Sequence, residues 1–261
     1  MPTRSESWPA GTPSWIDLTV PDLEAAKTFY GDVAGWTFVD TGADFGHYTL
    51  CQAGGRNAAA LSPPQGPEQP SAWTVYLATD DTDASAKQVV ANGGSIIVDP
   101  MDIPGTGKMA IARDPQGASF GLWQSAGMIG TEVYSEPGAL VWTDLRTSDP
   151  DAARSFYAAL FGYHYKPMEG APDAYQVFGF DGARDGETVG GIGPMMHAGD
   201  TSPPHWIAYV IVTDAEASAA AARSGGGSVA TEPFDTPFGK MAELVDPFGA
   251  KLAIMGVPPS S

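Results

Sequence analysis

Cysteine and histidine are nearly missing from this chain. Cys51 is the only cysteine among 261 residues, which excludes an intrachain disulfide and a cysteine-built zinc site. A buried, inert thiol is the expected state for it. The four histidines, His47, His164, His197 and His205, include no pair at metal-ligand spacing. Basic residues are scarce as well: 13 Lys and Arg stand against 31 Asp and Glu, a formal charge of −18. Such a surface repels phosphate backbones and anionic headgroups, so nucleic acid is excluded as a partner. No stretch approaches the roughly 20 apolar residues of a membrane span. Met1 to Ala10 holds charges and prolines where a secretory leader would be apolar. A cytoplasmic protein with no membrane partner is expected. Gly225 to Gly227 is not followed by Gly-Lys-Ser/Thr, so it reads as a helix stop rather than a phosphate cradle.

What the chain does have is a repeat. Trp15, Asp17, Leu18, Asp22, Ala25, Ala26, Phe29, Tyr30 and Gly35 recur 127 residues later as Trp142, Asp144, Leu145, Asp149, Ala152, Ala153, Phe156, Tyr157 and Gly162. Trp73 and Tyr76 return as Trp206 and Tyr209. Gly107-Lys108-Met109-Ala110 returns as Gly239-Lys240-Met241-Ala242. Asp114-Pro115 with Gly117-Ala118 returns as Asp246-Pro247 with Gly249-Ala250. The expected organisation is a first domain over 12–124, a linker over 125–138 and a second domain over 139–255.

Within a half, Trp15 to Val20 alternates as a half-buried strand does. Asp22 then caps a helix whose Leu23, Ala26, Tyr30 and Val33 form one apolar stripe, and Gly35 ends it. In the second copy Asp149 is the cap and Pro150 takes the first helical position, where its missing N–H is not needed. His47 to Cys51, Asn57 to Leu61 and Trp73 to Thr79 read as strands. A second helix follows Asp81 and stops at Gly93-Gly94, and Ser95 to Val98, Lys108 to Ala112 and Ser119 to Trp123 are further strands. Each half is thus strand-helix-strand-strand-strand written twice, an α+β class.

A strand followed by Asp-Leu-x-x-Ala-x-x-Phe-Tyr, a helix-ending glycine and a later Asp-Pro-x-Gly resembles the vicinal oxygen chelate superfamily. That superfamily includes glyoxalase I, extradiol dioxygenases and the bleomycin-binding resistance proteins. The fused double form resembles glyoxalase-like or hydroxylase-like proteins of actinobacteria. The resemblance implies tandem domains, each of two βαβββ units curling into an open, cup-shaped sheet with helices outside. It also implies metal ligands on the first, fifth and last strands of a half. Those positions fall on Trp15, Thr74 and Gly121 in the first half and on Trp142, Ile207 and Ala253 in the second. None is a carboxylate or an imidazole, so neither a metal nor another cofactor is expected. His205, two residues before Ile207, is the one alternative ligand.

Residues two apart on a strand share a face. Trp15, Asp17, Thr19, Thr74, Tyr76, Ser119 and Trp123 should therefore face one cup. Trp142, Asp144, Arg146, His205, Ile207, Tyr209, Lys251 and Met255 should face the other. Trp15, Thr74, Tyr76, Trp123, Trp142, Arg146 and Tyr209 are the candidate ligand-binding residues, because flat aromatic walls with a few polar groups suit a small apolar molecule. Asp17, Asp144 and His205 are the candidate acid–base groups, since a carboxylate among aromatic rings has a raised pKa. The alternative for the repeated Asp is to hold loop amides. Trp73 and Trp206 are equally suited to a cup wall or to the core. Lys108 and Lys240 fit solvated strand ends better than a rim contact. The leading expectation is a metal-free binder of a small aromatic or apolar molecule, such as an antibiotic or natural-product intermediate. The alternatives are a metal-free acid–base enzyme of secondary metabolism and, less favoured, a metal-dependent glyoxalase or dioxygenase. Fusion of two halves suits a monomer, with a homodimer as the alternative.

Overall fold

In a computed structural model, the description covers residues 3–66, 69–181, 188–196 and 201–257. The elements of the first half are β1 (Pro13–Thr19), α1 (Leu23–Ala34), β2 (Thr37–Asp40), β3 (Thr49–Ala53), β4 (Arg56–Ser62), β5 (Trp73–Ala78), α2 (Thr82–Ala91), β6 (Ser95–Ile103), β7 (Gly107–Arg113) and β8 (Ser119–Ser125). Those of the second are β9 (Leu140–Arg146), α3 (Pro150–Phe161), β10 (His164–Pro167), β11 (Gln176–Gly179), β12 (Gly190–Gly193), β13 (His205–Val212), α4 (Ala215–Ser224), β14 (Ser228–Thr236), β15 (Gly239–Val245) and β16 (Lys251–Gly256).

The caps form where the sequence places them. The Asp22 carboxylate accepts from the amide of Ala25, that of Asp149 from Ala152, and Gly35 and Gly162 close their helices in the left-handed conformation. One strand of the first half, β2, is additional to the sequence reading. It is four residues long and mostly exposed, so it has no apolar alternation to betray it.

Each half makes one open eight-stranded sheet, in the order β2-β3-β4-β1-β5-β8-β7-β6 and β10-β11-β12-β9-β13-β16-β15-β14. The two βαβββ units of a half meet at an antiparallel pair, β1 with β5 or β9 with β13. The helix-facing sides of the two sheets share a single core that contains buried residues of both halves.

Trp73 and Trp206 belong to that core. Strand alternation puts them on the helix side of β5 and β13, opposite Thr74, Tyr76, Ile207 and Tyr209. Trp73 Nε1 donates to the Tyr30 hydroxyl (3.1 Å), which donates across to Asp246 Oδ2 of the second half (2.9 Å). The same relay runs the other way: Trp206 Nε1 donates to the Tyr157 hydroxyl (3.0 Å), which donates to Asp114 Oδ2 (3.3 Å). The other oxygens of Asp114 and Asp246 accept loop amides of their own Asp-Pro-x-Gly turns. Among the described residues no helix is long and apolar enough to cross a membrane.

Candidate functional site

The opposite face of each sheet is the cup. Trp15, Ala60, Tyr76 and Trp123 pack together on the first, with Tyr48, Leu50, Ile103, Met109, Ile111 and Met128 around them. Ile207, Tyr209 and Ala253 form the corresponding cluster of the second, with Val141, Trp142 and Met241.

The residue directly across from Trp15 is Tyr76, whose neighbour on β8 is Gly121. The matching row of the second cup is Trp142, Tyr209 and Ala253. Thr74 and Ile207, read as the fifth-strand positions, are offset by two residues from these rows. Those two lie across from Asp17 and Asp144 instead.

Glycine at 121 is what makes the row possible. A Cβ there would lie 2.0 Å from Cδ1 of Tyr76, so the aromatic ring occupies the space above the bare backbone.

In the first cup the Asp17 carboxylate is the centre of a cluster. Its Oδ2 accepts from the hydroxyls of Tyr76 (2.9 Å) and Tyr48 (3.1 Å), and Tyr48 in turn accepts from Trp15 Nε1 (2.8 Å). Burial pushes the Asp17 pKa up to about 6, against hydrogen bonds from Tyr76, Tyr48 and Thr74 that hold it down. Burial, and then the adjacent carboxylate, push both tyrosines well above the ordinary phenol value, so their protons stay in place as donors. Trp123 closes the cup from β8, its indole N–H donating to the carbonyl of Met128 (2.9 Å).

The second cup repeats this cluster and adds a cation. Asp144, almost fully buried, accepts at Oδ1 from Trp142 Nε1 (2.9 Å) and the Tyr175 hydroxyl (2.8 Å). Its Oδ2 accepts from the Tyr209 hydroxyl (2.7 Å) and Arg146 Nη2 (2.6 Å). Burial works against the arginine charge, but Asp144 and Tyr209 more than offset it, and the guanidinium is held above its ordinary pKa. Gly191 leaves room for this packing, since a Cβ there would meet the Tyr175 oxygen at 2.1 Å and Asp144 Oδ1 at 2.5 Å.

Both carboxylates thus hold tyrosine donors, and Asp144 a tryptophan donor as well, rather than loop amides. The loop-amide role belongs to Asp114 and Asp246. Tyr48 and Tyr175 are the members that the sequence reading missed. They are related by the same 127-residue shift as Asp17 and Asp144, but they stand in a stretch with little other identity, just before β3 and β11.

His205 lies across from Arg146 on the neighbouring strand, half-buried, with Nδ1 2.9 Å from the carbonyl oxygen of Pro203. His47 and His164 pair on the surface with Asp40 and Asp181, and His197 lies outside the described residues. Lys108 and Lys240 tie their strands to helix residues Asp83 and Glu216. Cys51 is buried in the core, where burial pushes its thiol pKa well up. A cavity of about 560 Å³ lies beside the second cup, lined by Arg4, Trp8, Leu140 and Phe180 and sharing Trp142 with it.

The metal positions do not fit a divalent cation. Indole, glycine and alanine offer it no ligand, and the tyrosine hydroxyls of each row are committed to a carboxylate. Among the described residues no three His, Cys, Asp or Glu side chains converge.

Known proteins set this geometry in context. The family described as the glyoxalase/bleomycin resistance protein/dioxygenase superfamily matches residues 12–122 and 139–254. The chain is 40% identical to the putative glyoxylase CFP32 of Mycobacterium tuberculosis (strain CDC 1551 / Oshkosh), over 99% of both chains. It is 37% identical to the anthracycline biosynthesis protein DnrV of Streptomyces peucetius, over 94% of this chain and 93% of that one. Among solved structures, the Mn(II)-bound glyoxalase of Novosphingobium aromaticivorans superposes with a TM-score of 0.67 at 18% identity, covering 95% of this chain and 82% of that one. The 2,2',3-trihydroxybiphenyl 1,2-dioxygenase of Sphingomonas wittichii strain RW1 gives 0.63 at 16%, covering 95% and 91%. At those identities the two structures speak for the fold alone. The family match over both halves and the two close full-length relatives place the chain in the glyoxalase/bleomycin resistance protein/dioxygenase superfamily.

Proposed function

We propose that this protein binds a small aromatic or largely apolar molecule in its cups without a metal ion, with the Asp17 and Asp144 clusters as polar anchors. The observation that carries the reading is the doubled cluster itself. Two residues along the first strand from Trp15 and Trp142, which stand where metal-dependent members keep a ligand, both cups hold a carboxylate fixed by phenol donors among apolar side chains, with an indole N–H donating to the carboxylate or to one of its phenols. Aromatic faces supply stacking of about 0.5–1.5 kcal/mol per ring beyond area burial. Met109, Met128 and Met241 supply side chains flexible enough to repack around a guest. A role in secondary metabolism is supported by the similarity to proteins of anthracycline biosynthesis.

A second reading, acid–base catalysis in that metabolism, is favoured by one feature. Asp17 changes protonation near pH 6, close to where a general acid or base works best. Tyr48 and Tyr76 would hold the carboxyl in place while it moves a proton to or from the guest.

The two readings part on Asp17→Asn. A planar hydroxyanthraquinone titrated into chelator-treated protein should quench tryptophan fluorescence saturably. On the binding reading, Asn at position 17 weakens that binding about tenfold, the size of a lost hydrogen bond to a charged group. Unchanged binding with abolished conversion of the compound would select catalysis instead, and an absence of saturable binding would contradict both.

A further inference from the structure

The two cups are internal controls for one another, and they differ in charge. Aligning the halves by their shifts sets Arg146 against Thr19, His205 against Ala72, Lys251 against Ser119 and Glu243 against Ile111. Only Asp17 is charged among the first cup's five equivalents, whereas the second places Arg146, Lys251, Asp144 and Glu243 on its concave face. Ala253 of β16 pairs with Tyr209 of β13, so Lys251, two residues earlier on that parallel strand, falls on the same face at the level of Ile207, which lies across from Asp144.

The two acids of this cup are already engaged. Asp144 has four donors on its two oxygens, and Glu243 Oε2 lies 3.3 Å from the Thr231 hydroxyl. Donor capacity is left over. Among the described residues, both hydrogen bonds of the Arg146 guanidinium use Nη2, to Asp144 and to the Tyr209 hydroxyl, and its buried Nε has no partner. The Lys251 ammonium, with three N–H groups, has a 3.2 Å contact to Ser202 Oγ. A buried guanidinium donor without an acceptor weakens the fold, and the first cup, with Thr19, has no such donor.

Resting on the ligand-binding reading above, we infer that the second cup is specialised for a guest bearing a carboxylate, received by Arg146 and Lys251, while the first cup takes a neutral one. The overall charge of −18 does not oppose this. Exposed charges are screened over about 8 Å at physiological salt, so the side chains inside the cup set the local potential.

The test uses 2-naphthoate and its neutral counterpart 2-naphthalenemethanol in calorimetric titrations of the full chain. The wild type should bind naphthoate about tenfold tighter than the alcohol, as a charge-assisted bond requires. Arg146→Thr, which installs the first cup's own residue beside an aspartate that cup also keeps, should remove the preference. Lys251→Ser should weaken naphthoate alone. Thr19→Arg should create a second naphthoate site, an outcome that does not depend on how the Arg146 variant folds. Equal affinity for both probes, unaffected by Arg146→Thr, overturns the carboxylate assignment and leaves the aromatic-binding reading standing. Binding of neither probe overturns both.

Discussion

Asp17 and Asp144 occupy matching positions, yet only the second has a guanidinium beside it. For Asp17 the consequence is a pH-dependent stability. Its ordinary value of 3.8 applies to the unfolded chain and about 6 to the folded one. The folded state therefore holds the proton more tightly between those values, and the stability it contributes is fully present below about pH 4 and lost as pH rises through 6. Asn cannot ionise, so Asp17→Asn should escape that loss. In urea unfolding from pH 4 to 7.5, the variant should gain on the wild type by about 2–3 kcal/mol as pH rises. A difference constant with pH would contradict this placement of the carboxyl. The aspartates and Trp15 could be read from the sequence because they stand inside a run of identities and on an alternating strand. Tyr48 and Tyr175 could not, because each follows a loop whose residues differ between the halves and offers no periodic pattern.

Among the strands, register decides which side chains meet. The reading of β1, β5 and β8 found the correct faces, since alternation is visible in Trp15-Ile16-Asp17-Leu18, but not the alignment between strands. Alignment depends on hydrogen-bond pairing and on the irregularity between Pro13 and Trp15, neither of which leaves a mark in composition. Gly121 records the true register, for Tyr76 needs the volume that any Cβ would fill. Its backbone angle is an ordinary one, so space alone is at issue. Gly121→Ala should destabilise by about 1–3 kcal/mol, the usual cost of overpacking, and displace the Tyr76 hydroxyl from Asp17. Thermal melts with tyrosine fluorescence would show both, and a neutral substitution would mean that Tyr76 is not held over β8. The helices were the most legible elements. Each cap lies within its own helix sequence, and the aspartates at 22 and 149 and the glycines at 35 and 162 act locally.

At the scale of the molecule, the halves behave as one body because each supplies the acceptor for the other's relay. Tyr30 reaches Asp246 and Tyr157 reaches Asp114, and α1 also receives a hydrogen bond from Ser218 of α4 at the carbonyl of Val33 (2.8 Å). Tyr30→Phe would leave Asp246 and the Trp73 indole each short of a buried partner. It should cost about 2–4 kcal/mol, from about 1–3 for each stranded group offset by partial relaxation. Calorimetry should show a single unfolding transition for both wild type and variant. Two separated transitions would contradict a shared core. The repeat made the tandem architecture readable, whereas the sides taken by Trp73 and Trp206 were not, because contacts between halves are not encoded within either one.

The most direct test of a metal-free aromatic cup is to titrate the hydroxyanthraquinone calorimetrically into protein stripped with chelator and, in parallel, into protein supplied with Mn(II). Equal affinity in both preparations, weakened in each by Asp17→Asn and Asp144→Asn, is the expected result. Binding that appears only with Mn(II) and is indifferent to the two aspartates would contradict it.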